Sequence, residues 1–263
     1  MIRDITIGQY YPVDSILHRL DPRTKIIAVF AYITSLFLIK AFYGYGVVIL
    51  ALGIVIKLSK VPIQFMLKGL KSIVFILIFT VSINVLFSTG EMVLVKFWVF
   101  TITVEGIVLA IKMALRLVLL ILGSSLLTLT TSPIQLTDGI EILLNPFTKI
   151  GVPAHEIAMM MSIALRFIPI LLEETDKIMK AQTARGADFE SGSIIQRAKA
   201  MVPIMVPLFV SAFRRADELA MAMEARCYRG GAGRSRMNSL KYQTRDNIAF
   251  VVIILFIAFC IWI

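Results

Sequence analysis

Residues 73–87 read IVFILIFTVSINVLF and residues 250–263 read FVVIILFIAFCIWI, and neither run contains Asp, Glu, Lys or Arg. Lipid cannot solvate charge, so uninterrupted apolar stretches of this kind, with cations gathered at their ends, are a bilayer pattern. The rest of the chain agrees. Apolar residues make up 58% of the 263 positions, 17% are charged, and the mean hydropathy is +0.86. A soluble domain carries about a quarter charged residues.

Working outward, five spans are expected. The first two, Ile26–Ile39 and Ala41–Ile56, read as a tight helical hairpin with Gly44 and Gly46 between the apolar stretches. Ser72–Ser88 is the third, ended by Thr89-Gly90. After the connection Glu91–Phe100 comes Thr101–Thr131, and Ile248–Ile263 is the last. The fold class is therefore all-α: a polytopic membrane protein whose spans occupy 1–131 and 246–263, with a long polar arm at 132–245.

Sidedness follows from counting Lys and Arg near span ends. Arg3, Arg19, Arg23 and Lys25 precede the first span, and Lys57, Lys60, Lys68 and Lys71 form a basic loop around Pro62. Arg229, Arg234, Arg236, Lys241 and Arg245 precede the last span, while the other side shows only Lys40 and Lys96. The N-terminus is expected in the cytoplasm and the C-terminus outside. The formal charge of +10 sits beside spans rather than among aromatics on a polar surface, so no nucleic-acid partner is expected. The first 25 residues show no cleavable signal peptide.

Lys112 and Arg116 interrupt the fourth stretch. Four apart, they share one helical face. One reading has both side chains snorkelling from an overlong helix; the other turns them toward a protein interior or a bound partner.

Between Pro133 and Arg245 the chain carries 15 Lys or Arg and 11 Asp or Glu, against 12 and 6 elsewhere. Thr131-Ser132-Pro133 is a helix start, a hydroxyl cap followed by proline at the first helical position, and Asn145-Pro146 closes that helix. Gly151-Val152-Pro153 opens a long helix from about Ala154 to Arg185, with Gly186 as its C-cap. The link Ala187–Gly192 leads to a second, from about Ser193 to Tyr228, ended by Gly230-Gly231. Ile157–Leu172 holds Arg166 and Pro169, and Met201–Phe213 is broken by Pro203 and Pro207. Runs of this length are more often buried or interfacial helices than spans, and both helices continue into charged turns, which places them across the membrane base.

These two helices repeat. At an offset of 41 residues Asp176 matches Asp217, Ala181 matches Ala222, Ala184 matches Ala225 and Arg185 matches Arg226. A helix dipole favours a C-terminal arginine, which accounts for each Arg singly but not for the matching residues upstream. Two similar ends suggest two similar receptors. Small alanines permit close approach to a groove, and the arginine fork can pair bidentately with a carboxylate. Eight of the thirteen methionines lie between Met159 and Met223, which suits either core packing or a surface that re-packs against partners.

No G-x-x-x-x-G-K-[ST] loop, G-x-S-x-G or H-E-x-x-H occurs. Cys227 and Cys260 make no disulfide framework, and His18 and His155 have no companions at metal-ligand spacing. No catalytic residue, metal site or cofactor is expected in this chain.

Ala184-Arg185-Gly186 and Ala225-Arg226-Cys227 resemble the paired Ala-Arg-Gly motifs of the transmembrane T component of energy-coupling factor (ECF) transporters, the EcfT family. Thr130-Thr131-Ser132-Pro133, Asn145-Pro146-Phe147 and Leu165-Arg166-Phe167-Ile168-Pro169 extend the likeness over nearly the whole chain. The resemblance implies a non-catalytic subunit in the cell membrane, bridging two ABC-type ATPases to a substrate-binding S component that captures a vitamin or metal ion. ATP would be bound by the partners. It also implies that Arg185 and Arg226 anchor the ATPases, with Ala184, Gly186 and Ala225 beside them. The second motif departs by carrying Cys227 for glycine, with Gly230 and Gly231 available to end that helix slightly later. Lys112, Arg116 and Arg166 remain candidates for interior or partner contacts. A competing reading is a self-sufficient secondary transporter using Lys112, Arg116 and Glu105. It expects repeats among the spans, whereas the repeat found lies in the arm.

Overall fold

The computed structural model describes residues 10–39, 41–71, 73–88, 92–97, 100–189, 193–231 and 240–262. The sequence readings at Arg3, Lys40, Ser72, Thr89–Glu91, Gly192, Arg234 and Arg236 fall outside them.

Helix α1 (Pro22–Leu38) begins where Asp21 accepts the Arg23 amide and Pro22 occupies the first turn. Helix α2 (Phe42–Ser59) follows, then α3 (Ile63–Lys71), α4 (Val74–Phe87), strands β1 (Val93–Phe97) and β2 (Phe100–Thr103), and α5 (Val104–Thr130). The arm comprises α6 (Pro133–Leu144), a 3-10 turn over Asn145–Ile150, α7 (Ala154–Ala184) and α8 (Ile194–Ala225), and α9 (Thr244–Trp262) closes the chain. By length and composition α2, α5, α7 and α9 could cross a membrane, and α3 with α4, bent by 61°, could form a further broken span. At 17 residues α1 stands at the lower limit of spanning length.

The fold class is all-α, as the apolar runs indicate, with one small antiparallel hairpin, Val93↔Thr103 to Phe97↔Phe100, occupying the connection before α5. Two local expectations are corrected. Gly44 and Gly46 do not form the first turn, because α2 already begins at Phe42. The four lysines near Pro62 do not share a loop either: Lys57 ends α2, and Lys68 and Lys71 end α3. Lys60 alone makes the turn, at φ 57°.

The described residues separate into two units, one of 10–139 with 240–262 and one of 140–231. The first inverts the layering of a soluble domain. Phe75, Ile76, Phe79, Leu255 and Trp262 are exposed, while Ser35, Ser59 and Thr130 are buried. Their hydroxyls donate to the carbonyls of Tyr32, Ile56 and Leu126 at 2.6–2.7 Å, so these three groups need no solvation from lipid. Leu36, Val48, Leu52, Leu119 and Leu126 fill the centre. Close packing rather than water exclusion must hold spans together, so small residues sit at the tightest crossings. At Gly123 an added Cβ would lie 2.2 Å from the Tyr32 ring, and the Tyr32 hydroxyl donates to Leu119 O at 2.9 Å.

Charges that flank counting assigns to the membrane surface are interior here. Arg23 forks onto Asp21, Nε to Oδ1 at 2.9 Å and Nη2 to Oδ2 at 2.8 Å, and its guanidinium lies 3.9 Å from the Tyr242 ring centre. Asp246, 1% exposed, accepts from the Asp21 amide at 2.9 Å and the Gln243 amide at 2.8 Å. Lys25 donates to Thr130 O at 2.9 Å. Burial by itself would raise the Asp21 carboxyl, but the hydrogen bonds from the Arg23 guanidinium and amide outweigh it and hold that group below the usual carboxylate range.

Candidate docking tips

The ends of α7 and α8 are built alike. In α7 the helical dihedrals stop at Ala184, Arg185 is the C-cap residue at φ −88°, ψ 5°, and Gly186 turns left-handed at φ 90°. The Gly186 amide donates to Thr183 O at 2.9 Å and the Ala187 amide to Gln182 O at 3.0 Å. That pair of bonds is a Schellman cap, which satisfies carbonyls the helix would leave open. In α8 Arg226 is the C-cap residue at φ −92°, ψ 11°. The Cys227 amide donates to Glu224 O at 2.8 Å and the Tyr228 amide to Met223 O at 3.0 Å.

Cysteine does not displace the second cap. Cys227 itself takes the left-handed turn, at φ 58°, and α8 ends at Ala225 rather than nearer Gly230. The repeat in sequence is thus a repeat in backbone, with each arginine held at one geometry by bonds made inside its own helix end.

Ala184, Arg185, Gly186, Ala225, Arg226 and Cys227 are all exposed. Among the described residues neither guanidinium is engaged in an ion pair or side-chain hydrogen bond. The helices that carry them are tied together. Glu174 on α7 accepts from Ser211 at 2.8 Å and from Arg215 at 3.0 Å, both on α8. Glu174 and Arg215 each precede their tip by eleven residues, which is about 16 Å of helix at the usual rise. Two arms of equal length extend from one joint.

The other candidates lie apart. Arg116 is partly buried, donates through Nη2 to the Tyr45 hydroxyl at 3.0 Å and faces the Phe37 ring at 5.2 Å, so α1, α2 and α5 meet around it. Lys112 is partly buried on the same helix and Arg166 is exposed on α7. Glu105 accepts from the Met92 amide at 3.3 Å. No group of three or more His, Cys, Asp or Glu among the described residues could hold a metal ion.

One cluster escaped the sequence reading. Glu141 on α6 lies 3.0 Å from His155 Nδ1 on α7, and His155 Nε2 lies 3.3 Å from the hydroxyl of Tyr228, two residues past Arg226. The three residues are 14 and 73 positions apart, and no spacing rule joins them.

Taken together, the helices, the lipid-facing apolar surface and the doubled cap define a multi-pass helical membrane protein with two exposed, arginine-tipped helix ends. The family model for CbiQ, described as cobalt transport protein, matches residues 14–238. An energy-coupling factor transporter transmembrane protein EcfT of Clostridium kluyveri is 60% identical over 250 residues, covering 95% of this chain and 93% of that protein. Proteins of the same name from Acidaminococcus fermentans and Bacillus subtilis are 58% and 48% identical, covering 100% and 98% of this chain and 98% and 97% of their own lengths. The chain belongs to the EcfT family, the transmembrane components of energy-coupling factor transporters.

Proposed function

We propose that this chain is the non-catalytic coupling subunit of an ATP-driven importer in the cell membrane, and that its two arginine tips seat in two ABC-type ATPases. The observation that carries this reading is the duplicated cap. Two helix ends hold an exposed, unengaged arginine at one backbone geometry, which suits two homologous grooves with an acidic group in each. The cap bonds are made before any partner arrives, so little ordering cost falls on binding. ATP is bound by the partners, and no cofactor belongs to this chain.

In this scheme ATP binding and hydrolysis move the ATPase grooves, the tips follow, and the joint at Glu174 and Arg215 carries the motion along α7 and α8. A small membrane-embedded S component, which captures a vitamin or other micronutrient, is reoriented by that motion. The N-terminus lies in the cytoplasm, α7 and α8 lie under the bilayer, and α9 leaves the C-terminus outside. Lys112 and Arg166 remain candidate partner contacts.

The secondary-transporter reading finds less support. Glu105 and Arg116 have separate partners, the Met92 amide and the Tyr45 hydroxyl, and are not assembled into one site.

Arg185→Glu combined with Arg226→Glu should abolish recovery of the ATPases with this chain while membrane insertion is unchanged. Each anchor is worth on the order of 2 kcal/mol, or about thirtyfold in affinity. Full recovery from the double variant would sink the docking role. Impermeant thiol labelling of Cys227, and of Arg185→Cys, should proceed only from the cytoplasmic face.

A further inference from the structure

We infer that His155 and Tyr228 are positioning residues for the Arg226 tip. This rests on the docking role proposed above. Past Arg226 the chain folds back onto the start of α7.

Two independent contacts make that return. The first is a polar chain. In the neutral imidazole tautomer with Nδ1–H toward the Glu141 carboxylate at 3.0 Å, the Nε2 lone pair is left to accept the Tyr228 hydroxyl at 3.3 Å. The carboxylate thereby selects the imidazole tautomer that can receive the phenol. Side chains of Glu141 and His155 are 15% and 26% exposed, so water competes only weakly for these bonds. The second contact is steric. At Gly231 an added Cβ would lie 2.5 Å from His155 Cδ2 and 2.7 Å from Cγ, so the backbone passes against the face of the imidazole where only glycine fits.

Tyr228 is also the residue whose amide closes the Schellman cap on Met223 O at 3.0 Å. Its main chain fixes the cap and its side chain fixes the cap to α7. The backbone of Arg226 is thereby held by the cap on one side and by the contact of Tyr228 with α7 on the other. Cys227, which pays a steric penalty in the left-handed region, is held there by the same closure. The consequence is functional: a motor subunit pulling on Arg226 would pull directly on the α6–α7 corner through Glu141.

A spin label reads this without any ATPase present. Cys227 is exposed and adjoins both Arg226 and Tyr228, and Cys260 is buried. A nitroxide on Cys227 in the full-length Cys260→Ala chain, reconstituted in lipid nanodiscs, should give a restricted spectrum. Tyr228→Phe and His155→Ala should each shift it toward fast motion, and His155→Gln, which can still accept the hydroxyl, should restore most of the restriction. A label at Gly186→Cys, in a chain also carrying Cys227→Ser, should be insensitive to all three changes. An unchanged Cys227 spectrum in both Tyr228→Phe and His155→Ala would overturn the inference. A second readout separates it from the docking role. If the spectra shift as stated, Tyr228→Phe should lower ATPase recovery severalfold while Tyr10→Phe does not. Shifted spectra with recovery untouched even in the Arg185→Glu, Arg226→Glu variant would remove the docking role and leave the restraint standing.

Discussion

Arg23 and Arg226 are the same residue in opposite circumstances. Arg23, its side chain 10% exposed, is spent inside the molecule on Asp21 and Tyr242, whereas Arg226 is exposed on a capped helix end and, among the described residues, makes no ion pair. Breaking a buried pair strands a charge and is costly, whereas an exposed arginine contributes little to the fold. The contrast teaches that a basic residue beside an apolar helix either fastens the fold or stays exposed and available for a contact. Arg185 is exposed like Arg226, and Lys25 is buried like Arg23.

The comparison can be broken most decisively at Asp21. Asp21→Ala strands Arg23 and should cost about 3–5 kcal/mol of stability, read as a drop in melting temperature of the full chain in detergent. A melting temperature equal to that of the parent would mean the pair does not fasten the fold. Next in size is the left-handed cap. Gly186→Ala, at φ 90°, should cost about 1–2 kcal/mol, while Cys227→Gly should gain about 0.5–1 kcal/mol by relieving the same strain; effects of equal sign would show the two caps are not equivalent. Smallest is the pH response of His18. Its imidazole is pushed below the usual value chiefly by burial, against the hydrogen bond to Tyr11 O. The unfolded chain therefore binds the proton first as pH falls below about 6.5, so stability should decline there and be fully present above it. His18→Gln should flatten that decline.

Much of this architecture was legible because punctuation residues mark it. Ser132-Pro133 opens α6, where the Ser132 hydroxyl accepts the Gln135 amide at 3.3 Å, and Gly186 closes α7. Ser193 opens α8 through a reciprocal box with Gln196. What stayed hidden is of two kinds. Cysteine carries no sign of a positive φ, so the second cap could be seen only in the backbone. Counting cations treats Lys25 and Lys68 alike, although one is buried on Thr130 O and the other ends an amphipathic α3. The Glu141–His155–Tyr228 chain was out of reach because long-range polar contacts leave no period in a sequence.

The bond from the Asp21 amide to Asp246 joins residues 225 positions apart. During synthesis α1 can form long before α9 has left the ribosome, yet Arg23 and Asp21 stay short of a neighbour until it does. The last helix is therefore the latch for the first, and a chain stalled before residue 246 would leave the Asp21 amide without its acceptor.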